Sequence, residues 1–273
     1  MPRYIPLQRS VHQNSGWRPA RDYSFTKNNA LVPILAEEIS HVLPHMSIAF
    51  SENKNVASGF DLVGIQSLQP GINLFVHPDG RWLSGYVPAI YRGYPFALLQ
   101  EEGTDNLHLC IEAESDLFHE IAQEDDLPLL TDTGEPEAKV AEMMNFLQQC
   151  HKNRLATQNL VQQLAKHNLI QPWAIDLKQS ESDDKAVPVQ GLYQIDREAL
   201  KQLAPEHLSE LCKSGALAMA YSQILSKPRL SGLTPLYKLR DQLAQQQAQQ
   251  QQLQETNLDQ LFGEDAEEDI FKF

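Results

Sequence analysis

The sequence predicts an α+β fold with a mostly antiparallel sheet of about five strands, helices packed on it, a helical C-terminal part and a flexible tail. Short β-like segments separated by Gly- and Pro-containing turns fill the first 113 residues. A long segment with apolar residues three and four apart follows, from Pro136 to about His167. Residues 1–243 form one predicted domain, and the glutamine-rich, acidic residues 244–273 form a tail that cannot supply a core.

The first 70 residues predict one helix between irregular and extended segments. Residues 1–30 are irregular, with aromatic side chains that are expected to pin them to a surface. Residues 30–43 have a helical distribution of apolar side chains, with Pro33 in the first turn and Pro44 as a stop. The short strands predicted next are 46–50 and 62–68.

Residues 71–99 hold most of the turn chemistry of the chain. A strand over 73–77, a tight reversal at Pro78-Asp79-Gly80 and a return over 81–83 predict a β-hairpin. Residues 86–99 carry two prolines and a glycine among aromatic residues, which predicts either a bulged edge strand or two short extended pieces. A further strand is predicted over 107–113.

The second half of the chain predicts more helix than strand. Asp196 is placed to cap one short helix, Pro205 to start another, and Gly215 to end it. The helix over 136–167 should lay one face on the sheet. The other predicted segments are two extended ones, 170–177 and 190–195, and two helical ones, 216–225 and 227–243.

The net charge of −14 is concentrated in the middle of the chain. Residues 101–190 carry 18 acidic against 6 basic side chains, whereas residues 1–100 carry 6 against 8. Such an acidic belt repels phosphate backbones and anionic lipid, so we expect neither nucleic acid nor membrane insertion. Three scattered cysteines and the lack of an apolar leader or span favour a cytoplasmic protein, with signal-independent export left open.

Several blocks of residues, in this order, resemble the bacterial SapC family. The resemblance extends from about residue 3 to 240, and its central part is specific because composition alone would not generate it. The blocks are Trp17 with Tyr23 and Phe25, Asn73-Leu74-Phe75, Asp79-Gly80-Arg81-Trp82, Tyr86-Val87-Pro88, Arg92 with Tyr94-Pro95-Phe96, and Leu192-Tyr193-Gln194-Ile195-Asp196. The resemblance implies a link to surface-layer function or to nutrient uptake and implies no catalytic residues.

An aromatic groove around one arginine is the predicted binding site. Arg92 would fix a carboxylate while flat rings take an apolar or planar group of a small molecule, peptide or protein. The alternative is that the rings are core and that Arg92 pairs with an acid of the belt. The residues of this predicted groove are Trp82, Tyr86, Arg92, Tyr94 and Phe96.

The tail offers a second binding hypothesis. Its acidic run precedes three apolar residues, a composition similar to the tails with which single-strand-binding proteins dock partner proteins. A solubilising tail is the alternative. The apolar residues are Ile270, Phe271 and Phe273.

Metal-binding and catalytic patterns in the sequence are weak. His41 and His45 are four apart, but Pro44 intervenes and no third ligand is near, so no metal site is predicted. Cys150 adjoins His151, yet adjacency in sequence is poor evidence for a nucleophile and its base. No catalytic residue and no cofactor are predicted.

The predicted function is that of a non-enzymatic binding or adaptor protein of the SapC type with a protein partner. One alternative is an enzyme that acts on a small molecule or peptide in a cleft beside the aromatic hairpin. A structural component of a surface assembly is the other alternative.

Overall fold

Antiparallel strands and helices make up the chain. The structure, a computed structural model, describes residues 3–101, 103–104, 106–177 and 187–262. The strands are β1 Tyr4–Pro6, β2 Gly16–Trp17, β3 Leu31–Pro33, β4 Ser47–Glu52, β5 Phe60–Ile65, β6 Phe96–Gln100, β7 Leu107–Glu112, β8 Phe118–His119, β9 Leu127–Pro128, β10 Ile170–Pro172, β11 Ile175–Leu177, β12 Val187–Val189 and β13 Leu192–Ile195. The α-helices are α1 Arg9–His12, α2 Ile39–Val42, α3 Ala89–Arg92, α4 Ala138–Lys166, α5 Arg197–Lys201, α6 Pro205–Ser214, α7 Ala216–Ser226 and α8 Leu233–Phe262. Short 3₁₀ helices span Ser24–Thr26, Ala36–Glu38 and Lys227–Gly232.

The strands form one five-stranded sheet and smaller ones, all paired antiparallel. The large sheet has the order β10-β13-β4-β5-β3, with Ser47 opposite Ile65 and Glu52 opposite Phe60 in its central pair. Two three-stranded sheets have the orders β1-β7-β6 and β8-β2-β9. The α+β class and the five-stranded antiparallel sheet are confirmed, although the strand predicted over 107–113 lies in a different sheet from the strands near 46–50 and 62–68.

Helix α4 bridges two separate hydrophobic cores. Its first turns bring Val140 into a core shared by the two three-stranded sheets, where Trp17 and Ile111 are also buried. Its last turns bring Val161 and Leu164 into a larger core on the five-stranded sheet. With 29 residues, α4 is about 44 Å long, which is enough to reach from one core to the other.

The helix predicted over 30–43 is wrong in its first part. Residues 31–33 form the edge strand β3, and Val32 is fully buried against the sheet. The Ile34 N–H donates a hydrogen bond to the Leu62 carbonyl of β5. Since successive N–H groups of a strand point to opposite sides, the nitrogen of Pro33 faces away from β5, where a missing N–H costs no hydrogen bond of the sheet. Helical structure begins only at Ala36 and ends at Val42.

The reversal predicted at Pro78-Asp79-Gly80 is present, but the strands around it are not. Gly80 has a φ of +87°, and the His77 N–H bonds to the Arg81 carbonyl. Only a single bridge, between Val76 and Trp82, joins the two arms. In residues 86–99, helix α3 precedes β6, so the segment is part helix and part strand.

The C-terminal part follows its local signals. Asp196 accepts hydrogen bonds from two N–H groups at the start of α5, and Gly215 ends α6 with a φ of +93°. Tyr237 of α8 anchors this helix, since its hydroxyl accepts hydrogen bonds from the Leu68 and Gln69 N–H groups. Residues 244–250, which begin the glutamine run, continue α8 and are exposed. No helix in the described ranges has the length and apolarity needed to cross a membrane.

Candidate functional site

An apolar cleft lies between the two cores, under the middle of α4. Its cavity volume is about 290 Å³. One wall comes from β5 and the end of β3, the opposite wall from β6 and α3, and α4 closes the space above them. We call it the inter-core cleft. Its lining includes Ile34, Leu62, Ala89, Ile90, Phe96, Leu98, Leu99, Leu147, Cys150, His151, Arg154 and Val161.

The β6 wall of this cleft is an unpaired strand edge. The Glu112 N–H bonds to the Pro95 carbonyl, and the Glu101 N–H bonds to the Asn106 carbonyl. Hydrogen-bonded and non-hydrogen-bonded residues alternate along an antiparallel pair. Pro95 and Glu101 bond on the β7 side, so the N–H and carbonyl of Leu98, an odd number of residues from each, point away from β7. No other described strand pairs with that side of β6. The cleft therefore offers backbone hydrogen-bonding groups beside its apolar walls.

Five polar side chains from α4 line the cleft: Cys150, His151, Arg154, Thr157 and Gln158. Arg154 is exposed and has no hydrogen bond or ion pair with the rest of the described chain. Cys150 and His151 also line the cleft but do not bond to each other. Burial raises the pKa of the Cys150 thiol, although the charge of Arg92 opposes this rise. The thiol is therefore protonated at neutral pH, which makes it a poor nucleophile.

Trp82 and Arg92, two residues of the predicted groove, meet through a third, Tyr86. The Trp82 indole N–H donates to the Tyr86 carbonyl at 2.8 Å. Arg92 Nη2 donates to the Tyr86 hydroxyl at 3.3 Å, and its guanidinium lies 5.7 Å from the Tyr86 ring and 5.2 Å from the Phe146 ring. No carboxylate of the described residues forms an ion pair with Arg92, so an acid of the belt does not neutralise it.

Glu38 is the buried carboxylate that holds this arrangement together. It is only 5% exposed. One of its oxygens accepts from the Leu35 N–H, and the other accepts from the Tyr86 hydroxyl at 2.9 Å and from the Ala89 N–H at 2.8 Å. Burial, followed by the bond to Glu38, raises the pKa of Tyr86 to about 12. Glu38 thus ties the start of α3, and with it one wall of the cleft, to the 3₁₀ helix that follows β3.

Tyr94 and Phe96 lie apart from Trp82. Tyr94 stacks on Phe25 at 3.9 Å and donates its hydroxyl hydrogen to Ser115. Phe96 is 3% exposed and packs edge-on against Trp17 in the smaller core, where it forms part of the floor of the inter-core cleft. The five predicted residues therefore do not line one shared groove: Trp82, Tyr86 and Arg92 cluster, Tyr94 stacks on Phe25 instead, and Phe96 contributes to the neighbouring cleft.

Two further side chains of types that can serve as ligand or nucleophile, His41 and Cys110, make structural contacts in the described chain. His41 stacks on Tyr86 with 5.3 Å between ring centres. Burial raises the pKa of Cys110, whose thiol contacts the carbonyl of His108. Ile270, Phe271 and Phe273 lie outside the described residues, so their docking role stays a prediction.

Sequence reasoning missed most of the inter-core cleft. Arg154 carries no local motif, and only the packing of α4 over both cores brings it next to β6. Ile90 is 52% exposed and Leu99 is 42% exposed, but a single exposed apolar residue is not detectable in a sequence. The one available signal was the length of the predicted helix, which exceeds the span of a single small sheet.

Fold and site together define a mixed α+β protein with an open apolar cleft between two cores. The chain belongs to the SapC family, whose model matches residues 7–233. A match was found neither among curated proteins nor among solved structures. Residues 1–6 and 234–273 lie outside the matched region.

Proposed function

We propose that the protein is a non-enzymatic binding or adaptor protein whose inter-core cleft holds an extended, apolar and acidic segment of a partner protein. The observation that carries the proposal is the coincidence of an apolar cavity, an unpaired strand edge and an unneutralised arginine in one place. Each of the three matches a different part of such a peptide.

The cavity suits apolar side chains of a peptide. A cavity of about 150 Å³ already accepts a molecule of the size of benzene. The inter-core cleft has roughly twice that volume, at 290 Å³, so it has room for one or two large apolar side chains. Ile90 and Leu99 are the exposed apolar residues of the lining.

The edge of β6 suits the backbone of a peptide. An extended segment can add to an open sheet edge and gain main-chain hydrogen bonds, with alternate side chains entering pockets. The N–H and carbonyl of Leu98 face this edge. The opposite wall does not compete for the peptide, because Pro33 removes an N–H from the outer side of β3.

The charge at the cleft favours an acidic partner. Arg154 lies at the mouth without an ion pair in the described chain, and Arg92, two residues beyond Ile90, also has no carboxylate partner there. These two guanidinium groups lack ion pairs in the described chain and outnumber Asp61, the carboxylate among the lining residues, so a local positive patch lies at the cleft on a chain of net charge −14. Such a patch selects a peptide that carries Asp or Glu.

Binding is preferred to catalysis because of Cys150 and His151. These are the pair in the cleft that would serve a nucleophilic enzyme, yet they share no hydrogen bond and burial keeps the thiol protonated.

The surface-assembly alternative requires self-association at micromolar concentration, which sedimentation velocity measures. The partner and the biological setting implied by the family, nutrient uptake or surface-layer function, belong to this proposal.

Selection of random peptides on the full chain tests the proposal. We expect the selected peptides to combine bulky apolar residues with Asp or Glu. R154E should weaken their binding about tenfold or more, since it turns attraction into repulsion, and I90D should do the same. The matched controls are K152E, on an exposed part of α4 outside the cleft, and L155D, since Leu155 is exposed outside it as well. Failure to select any peptide, or equal losses in the test and control variants, would refute the proposal.

A further inference from the structure

A cluster of possible metal ligands lies away from the cleft, where the end of α4 meets α6. His167, His207 and Glu210 each offer one ligand atom, and these three atoms lie within 4.8 Å of one another. The imidazole rings of the two histidines have their centres 4.6 Å apart and are tilted by 46°. The rings therefore do not stack face to face, and their nitrogen atoms can converge on one point.

The backbone fixes the positions of these residues. Asn168 adopts a φ of +54°, and the Leu169 N–H bonds to the Leu164 carbonyl, so α4 stops with His167 at its end. Pro205 starts α6, which places His207 and Glu210 three residues apart and therefore on one face of that helix. This packing of α6 on α4 brings together residues that are forty or more positions apart in the sequence.

His167 has an unused buried nitrogen. Its Nε2 atom is shielded from solvent and has no hydrogen-bond partner in the described chain. A buried polar atom without a partner carries a desolvation cost, and such atoms are rare in folded proteins. A metal ion bound to Nε2 would remove this cost. The unpartnered nitrogen is independent of the clustering and also points to a ligand.

The donor set favours one class of cation. Two imidazole nitrogens and one carboxylate bind Zn²⁺ and related transition metals, with ligand distances of about 2.0–2.2 Å. Mg²⁺ and Ca²⁺ prefer oxygen ligands. The side chains of His207 and Glu210 are 52% and 50% exposed, so they are free to rotate toward an ion. The exposed side leaves a coordination position open to water.

From these observations we propose that His167, His207 and Glu210 bind one Zn²⁺ or similar divalent transition-metal ion. The ion ties the end of α4 to α6. Lys166, whose Nζ is 3.8 Å from Glu210, is near enough for the ion to displace it from that carboxylate. Metal binding then adds a cross-link between the bridging helix and the C-terminal helical part, and so stabilises the folded chain by mass action.

Zn²⁺ titration of the full, chelator-treated chain tests the site. We expect one Zn²⁺ per chain by calorimetry, a higher Tm with Zn²⁺, and binding weakened about a hundredfold in H207A and at least about tenfold in E210Q. Both residues are half-exposed, so the variants are expected to fold, and circular dichroism checks this. Co²⁺ should give absorption bands of nitrogen and oxygen ligation without a thiolate charge-transfer band.

Two controls make the result decisive. His108 forms a comparable exposed pair with Glu101 and has no third ligand among the residues that the structure describes, so H108A should bind Zn²⁺ as the natural chain does. Cys212 is an exposed thiol on α6, and C212S should also leave binding unchanged. The proposal is overturned if the full chain takes up no Zn²⁺, if H207A binds it undiminished, or if C212S abolishes binding.

Discussion

Asp126 is a carboxylate whose environment in the folded chain differs from the solvated one that its sequence neighbours predict. It stands in a polar acidic segment, which predicts a solvated charge. Its side chain is instead fully inaccessible and forms an ion pair with Arg18 at 2.6 Å and a hydrogen bond with His119 at 2.8 Å. Burial alone would raise its pKa, but the hydrogen bonds from the Gln123 N–H, Arg18 and His119 outweigh burial and lower it.

The lowered pKa of Asp126 predicts a pH-dependent contribution to stability. Because the folded chain favours the ionised form, this contribution is fully present above the ordinary pKa of 3.8 and is lost as the pH falls through the lower folded value. D126N should lower the free energy of unfolding by about 1–3 kcal/mol at pH 7, and by less below about pH 4. Urea denaturation at several pH values measures the difference.

The neighbouring Asp125 supplies the control for this prediction. It is exposed, so D125N should change stability by less than about 0.5 kcal/mol at any of these pH values. Equal losses in the two variants would mean that the contacts of Asp126 with Arg18, His119 and the Gln123 N–H are not the cause.

The hydroxyl of Tyr86 gives a second prediction at this scale. Y86F keeps the ring stacked on His41 but removes the bonds to Glu38 and Arg92. We expect a loss of about 1–2 kcal/mol, since a bond to a buried carboxylate disappears. Chemical denaturation measures it, and Y221F is the matched control because Tyr221 is 51% exposed and makes no hydrogen bond in the described chain. A Y86F chain as stable as Y221F would contradict the role assigned to Glu38.

At the level of elements, the junction between α6 and α7 depends on one glycine. Gly215 has a φ of +93° and open space around the position of a Cβ. G215A should therefore destabilise the chain by about 1 kcal/mol through backbone strain alone. Gly232 also has open space but an ordinary φ, so G232A should be neutral or slightly stabilising. Thermal unfolding of the two variants compares them, and similar Tm values would exclude strain as the cause.

The bridging role of α4 belongs to the whole molecule. One helix contributes side chains to both cores, and the inter-core cleft is the space that its middle spans. A single continuous core would have left no such opening. The placement of the cleft is therefore a consequence of building the protein around two cores joined by one long helix.

The extent of the folded unit gives a prediction at the same scale. A chain ending at Leu243 should keep its free energy of unfolding within about 0.5 kcal/mol, because the side chains that it lacks and that the structure describes, those of 244–250, are exposed. A chain ending at Gly232 should lose about 3 kcal/mol or more, since it lacks buried Leu233 and the Tyr237 hydroxyl bonded to two backbone N–H groups. Chemical denaturation of both truncations measures this. A large loss of stability in the chain that ends at Leu243 would show that the residues beyond it contribute to the fold.

Features set by neighbours in the chain were predictable from the sequence. The reversal at Gly80, the cap at Asp196, the stop at Gly215 and the extent of α4 each depend on local backbone preferences, and each is present. The resemblance to the SapC family rested on short residue blocks of the same kind, and the family match covers them.

Only the tertiary structure decided the features that depend on partners distant in the sequence. Residues 31–33 have a helical pattern but form a strand, because pairing with β5 buries Val32. The cleft joins α4 to an edge of β6, and the proposed metal site joins the end of α4 to α6. Local sequence determines how the backbone turns, caps and coils, whereas long-range packing determines which edges stay open and which distant side chains meet, since those contacts gain their free energy only in the assembled fold.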